Sequence, residues 1–159
     1  MIVVLDASAI SAYLKGEAGA DINKQYVELG AHQLYIHALN LCEVYCGTLR
    51  EAGEDAAEKV ISDLIALGVK ERDDLDPTFW RVAADLKAKY RRVSLADCCA
   101  LSLSSRLGAV LATADRHEMQ VLADEGSQRI EFIRLDLKQK FQCELNLPCR
   151  ECGSDCAER

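Results

Sequence analysis

No apolar run in the chain approaches the roughly 20 residues needed to span a bilayer, which excludes a helical membrane protein. The opening Met-Ile-Val-Val-Leu-Asp has no basic n-region and places an acid where the apolar core of a secretion signal would continue. A cytoplasmic protein is therefore expected. Histidine is scarce: His32, His37 and His117 stand at no metal-ligand spacing, so the chemistry must rest on other side chains. No G-x-G-x-x-G follows the first apolar run, which disfavours a dinucleotide-binding domain. There is no internal repeat and no low-complexity linker. Positive charge is also in deficit, with a net charge of −7 that argues against broad, non-specific nucleic-acid binding. A local patch remains open in "LKAKYRR", where Lys87, Lys89, Arg91 and Arg92 crowd together. The alternative there is a solvated helix end with cations in its last turn.

What the chain does have suits one domain. Its 159 residues, half of them hydrophobic, are a globular composition, and a chain of about this length buries roughly 70% of its unfolded surface. Eight cysteines would suggest a disulfide scaffold only in a secreted protein. Cys42, Cys46, Cys98 and Cys99 fall in apolar helical stretches and read as small buried hydrophobes. The other four, Cys143, Cys149, Cys152 and Cys156, form C-x5-C-x2-C-x3-C in a polar tail. That tail could hold one Zn²⁺, form disulfides or carry reduced thiols, and its spacing matches no standard zinc pattern.

Short apolar runs alternate with helical periods. Strands are expected at Ile2–Leu5, Leu34–Ile36, Val69–Glu71, Val110–Thr113 and Ile130–Ile133. Helices are expected at Ser8–Lys15, Ala18–Ala31, Ala38–Glu51, Glu54–Gly68, Pro77–Tyr90, Ser94–Leu107 and Arg116–Asp124. Strands separated by helices imply a parallel sheet covered on both faces. The expected fold is therefore a three-layer α/β/α sandwich on about five strands. Sites in such sheets form beyond the carboxyl ends of the strands, where the strand order reverses.

Two apolar runs stop abruptly at an acid, "MIVVLD" at Asp6 and "AVLATAD" at Asp115. If their strands are neighbours, both carboxylates face one crevice. Glu43 lies with Asn40 and Gly47 on a thin polar stripe of an otherwise apolar helix, and Asp97 lies in the first turn of another. Each acid has an innocent reading. Asp6 and Asp115 could cap helices, Asp115 with Glu118 in a capping box; Ser94 and Asp97 match the capping-box pattern; Glu43 could be a surface acid. As a set they need a cation, because carboxylates about 5 Å apart repel by roughly 3 kcal/mol per pair at an effective dielectric near 20. All-oxygen ligands of high charge suit Mg²⁺ or Mn²⁺, which can activate water against a phosphodiester. A haloacid-dehalogenase-type phosphatase would want a second Asp two residues after the first, and Asp6-Ala7-Ser8 lacks it.

In order, "VVLDASA" with Asp6, "NLCEV" with Glu43, "SLADCCAL" with Asp97 and "RLGAVLATAD" with Asp115 resemble the PIN-domain nucleases, and more narrowly the VapC-type toxins of toxin–antitoxin pairs. The resemblance covers about residues 1–135 and leaves a cysteine-rich tail, 136–159, outside it. It implies a PIN-like fold and a Mg²⁺- or Mn²⁺-dependent endoribonuclease whose metal ligands and water-positioning acids are Asp6, Glu43, Asp97 and Asp115. Ser8, Asn40 and Thr113 take the places of supporting polar groups that orient those carboxylates. The resemblance further implies an RNA substrate, tRNA among the candidates, products with a 5′-phosphate and a 3′-hydroxyl, a homodimer, and a small antitoxin as partner. A PIN-like module that binds RNA or protein without turnover is the alternative.

Overall fold

In the computed structural model, residues 1–16 and 32–133 are described. The helix expected over residues 18–31 and the tail cysteines Cys143, Cys149, Cys152 and Cys156 lie outside the described residues. The elements run β1 (Ile2–Leu5), α1 (Ala7–Leu14), β2 (Gln33–His37), α2 (Ala38–Ala52), α3 (Glu54–Ala66), β3 (Val69–Arg72), α4 (Pro77–Lys89), α5 (Leu95–Leu107), β4 (Val110–Thr113), α6 (Arg116–Asp124) and β5 (Ile130–Phe132).

All strand pairs are parallel, and the sheet order is β3-β2-β1-β4-β5. This is the expected three-layer fold. The chain builds outward from β1 to β3, then returns to lay β4 against the other side of β1, with Leu5 opposite Ala112. The reversal between β1 and β4 opens the crevice at their carboxyl ends.

Strand alternation divides the core between the two faces. Val3 and Leu5 point with Leu34 and Ile36 into a cluster closed by Ala9 and Ile10 of α1, Val44 of α2 and Leu64 of α3. Val4 and Leu111 point the other way, against Phe79 and Ala83 of α4, Leu101 and Leu103 of α5, and Met119 and Leu122 of α6. β1 is therefore apolar on both faces, as a central parallel strand must be.

Local signals set the element ends. Asp76 accepts from the amides of Thr78 and Phe79 and caps α4 just before Pro77, whose missing N–H costs nothing in a first turn. α5 stops at Gly108, which takes a left-handed conformation (φ 59°, ψ 33°) that a Cβ would disfavour. That turn feeds the chain directly into β4. No described helix is long and apolar enough to cross a membrane.

The cysteines divide. Cys98 and Cys99 are buried, as expected, and burial pushes the Cys98 thiol up to about 11. Cys42 and Cys46 are exposed, against expectation. Helix α2 buries Asn40 and Val44 instead. Its polar residue faces inward because a carboxylate waits there to bond it.

Candidate active site

Asp6 follows the last residue of β1 and is 1% exposed. It occupies the N-cap position of α1, yet its side chain makes no capping bond. Instead Oδ2 accepts from Ser8 Oγ at 2.7 Å and from Thr113 Oγ1 at 2.6 Å, and Oδ1 accepts from Asn40 Nδ2 at 3.3 Å. Each hydroxyl is itself held by a backbone amide, Ala114 N–H at 2.9 Å from Ser8 Oγ and Asp115 N–H at 3.0 Å from Thr113 Oγ1. Two amide–hydroxyl–carboxylate relays thus converge on one oxygen across the β1–β4 seam. Donors so arranged stabilise a buried carboxylate as an anion and fix its orientation.

The other acids approach from three helices. Asp97 closes a capping box at the start of α5: its amide donates to Ser94 Oγ at 3.0 Å, and the Ser94 amide donates to its Oδ2 at 3.3 Å. The innocent role is real, but it does not account for the electrostatics. Burial first, then the negative charge of Asp6, raise the Asp97 carboxyl to about 7 despite the Ser94 hydrogen bonds, with Glu43 adding to the rise. Glu43 on α2 is likewise raised by burial and by the charges of Asp6 and Glu118. Asp115 caps α6 through the Glu118 amide, 3.0 Å from Oδ1, and joins the site through the Thr113 hydroxyl. Asp6, Glu43 and Asp97 therefore share one electrostatic environment, and Asp115 stands at the end of the adjacent strand.

Glu118 is the acid that sequence reasoning assigned only to a capping box. Its amide does serve Asp115, while its carboxylate lies close enough to Glu43 to oppose ionisation there. The one signal for it was its place three residues after Asp115, in the first turn of α6.

The donor set fits a hard divalent cation. It is all oxygen, its carboxylates resist ionising together, and Asn40 Oδ1 is buried without a hydrogen-bond partner. Among the described residues, no three Asp, Glu, His or Cys side chains already stand at ligand spacing.

The basic patch breaks up. Lys87 Nζ donates to the carbonyls of Arg91 and Val93 at 2.9 and 2.7 Å, and Lys89 pairs with Glu125 at 2.7 Å, an oxygen that Tyr90 also bonds. These two lysines finish a helix. Arg91 and Arg92 stay exposed, on the turn leading into Ser94 and Asp97.

A family model described as PIN domain matches residues 3–124. Among solved structures, a toxin–antitoxin complex from Klebsiella pneumoniae superposes with a TM-score of 0.62 at 14% identity, over 84% of this chain and 99% of that one. VapC20 of Mycobacterium tuberculosis, described as a sarcin–ricin-loop-cleaving toxin, gives a TM-score of 0.61 at 13% identity, over 75% of this chain and 94% of that one. VapBC-1 of nontypeable Haemophilus influenzae gives 0.61 at 20% identity, over 84% and 98%. At these identities the likeness is one of fold. Comparison with curated proteins gives no match. With a family model spanning most of the chain, and its four acids arrayed around the β1–β4 crevice, the chain belongs to the PIN-domain family.

Proposed function

We propose that the protein is a divalent-metal-dependent endoribonuclease, the toxin of a toxin–antitoxin pair. The observation that carries this reading is the Asp6 carboxylate, buried at the seam, held by Ser8, Thr113 and Asn40, and sharing its field with Asp97 and Glu43. A surface cap would not need three side-chain donors. Asp6, Glu43, Asp97 and Asp115 would hold Mg²⁺ or Mn²⁺, with Glu118 beside Glu43. When bound, the cation supplies an activated water and compensation for charge developing on the phosphate. Ser8 and Thr113 hold one oxygen of Asp6 in place, and Asn40 fixes the other. A raised carboxyl at Asp97 suits a group that gives up its proton as a cation arrives.

The solved relatives support the partner assignments. Several are complexes of the toxin–antitoxin type, and one is described as cleaving the sarcin–ricin loop, so a structured RNA substrate and a small protein inhibitor are proposed here. A homodimer is supported by an exposed stripe on α2, in which Leu39, Cys42, Cys46 and Leu49 recur at spacings of three, four and three residues. Residues 1–135 form the nuclease unit in this reading, with 136–159 as an appended cysteine-rich tail, and the protein acts in the cytoplasm.

The test is cleavage of a pool of structured RNAs, tRNA included, with Mn²⁺ or Mg²⁺, against EDTA and Asp97→Asn controls. Metal-dependent cuts leaving 5′-phosphates, absent in the variant, are expected. Cleavage that survives EDTA or the variant overturns the assignment. Absence of both metal binding and cleavage would favour the binding module.

A further inference from the structure

The buried side chain that the proposed reaction leaves unused is His37, at the junction of β2 and α2. It is fully buried, and its ring is held on three sides. Nδ1 accepts from the Leu39 amide at 3.2 Å and so caps α2. Nε2 lies 3.1 Å from the carbonyl oxygen of Asp74, which can only accept, so Nε2 carries the proton and Nδ1 is bare. The ring stacks on Phe79 with centroids 5.2 Å apart and planes 5° from parallel.

Helix caps are ordinarily Ser, Thr, Asp or Asn, whose short side chains need reach only the first turn. A ring at this place does something those residues cannot: it spans from the helix to the β3–α4 loop. That loop is itself braced. Arg72 bonds both Asp74 oxygens, at 2.8 and 2.9 Å, Arg106 bonds Asp74 at 2.7 Å, and Arg106 also lies 5.0 Å over the Phe79 ring. Three residues beyond His37 stands Asn40, whose amide holds Asp6, and one turn further stands Glu43.

We propose that His37 is a positioning residue, which sets the start of α2 against the braced 73–76 loop and thereby holds Asn40 on Asp6 and Glu43 beside it. The two bonds work as a pair: Nδ1 takes the Leu39 amide, and Nε2 ties the ring to the Asp74 carbonyl. The proposal rests on the nuclease reading for its functional meaning, but its geometry can be tested without it.

Two substitutions separate the contacts. In His37→Asn the amide oxygen replaces Nδ1 as cap acceptor, and the reach to Asp74 is lost. In His37→Gln the terminal amide nitrogen can still approach the Asp74 carbonyl, and the cap acceptor is lost. The first readout is hydrogen exchange of the Asn40 side-chain amide and the Leu39 backbone amide in metal-free protein, by NMR. The second is RNA cleavage, with RNA binding measured separately. His37→Asn should keep protection of the Leu39 amide but lose it at the Asn40 side chain, and its kcat should fall. His37→Gln should lose protection at both amides, and its kcat should fall about tenfold or more, the scale seen when residues orienting metal ligands are removed, at unchanged RNA Kd. Slow exchange at Asn40 with wild-type kcat in His37→Asn overturns the proposal, as does loss in both variants that merely tracks their melting temperatures. If the wild-type protein cuts no RNA, the nuclease reading fails, and the exchange data still decide the role of His37.

Discussion

At the scale of single residues, the site is a buried charge kept by its donors and a second charge held off by it. Removing the Thr113 hydroxyl in Thr113→Val leaves Asp6 Oδ2 with Ser8 alone and the Asp115 amide without its acceptor. The expected cost is about 1–3 kcal/mol, read by urea denaturation, with cleavage impaired as well. Asp97 behaves in the opposite sense. Its carboxyl rises from 3.8 to about 7 on folding, so the folded state holds that proton more tightly than the unfolded chain. This contribution to stability is full below about pH 4 and is lost as pH rises through about 7. In metal-free protein, Asp97→Asn should flatten that decline and raise Tm at about pH 8 by several degrees, and with metal added the variant should not cleave. Its amide oxygen can still accept from the Ser94 amide. Unchanged pH dependence of Tm in the variant would show that the carboxyl carries no such strain.

At the scale of elements, α2 shows what the sequence could and could not convey. The runs ending in Asp6 and Asp115 were legible because a strand alternates and then stops, and parallel topology carries both ends to one edge. The orientation of α2 was not. Apolar residues wrap most of that helix, and its composition alone places Cys42 and Cys46 inward. The structure turns Asn40 inward because its amide meets Asp6, 34 residues earlier in the chain. His37 was illegible for the same reason, since its partners come from positions 74 and 79. The apolar stripe thus left outside is the face assigned to a second copy of the chain. Leu49→Glu should convert a dimer to a monomer in sedimentation, and an unchanged mass would remove that role from α2. The α5–β4 connection makes a separate prediction. Gly108→Ala forces a Cβ into left-handed backbone and should cost about 1 kcal/mol in urea denaturation, without any steric clash to add to it.

For the whole molecule, the net charge of −7 sets the terms on which RNA can approach. Screening by salt and neutralisation by bound cations should both matter, and the exposed pair Arg91 and Arg92 lies nearest in sequence to Asp97. Replacing both with Ala should reduce the slope of log Kd against log salt by about 1.4 for single-stranded RNA. An unchanged slope would leave those arginines as solvated surface. Their companions Lys87 and Lys89 could not have been set apart by composition, because one bonds backbone carbonyls and the other a glutamate 36 residues away. The division at residue 135 has its own measurement: the 1–135 fragment should fold and cleave like the full chain, with any bound zinc found only in the latter.

The order β3-β2-β1-β4-β5 places Asp6 and Glu43 in the half of the chain before the 73–76 loop, and Asp97 and Asp115 in the half after it. One of the bonds that join the halves, Thr113 to Asp6, spans 107 positions. Cut at that loop, the protein would yield two fragments, each with two of the four acids and an open sheet edge at the seam. Nuclease activity would then report their reunion, so that the fold contains the plan of a split enzyme, controllable by whatever brings its two pieces together.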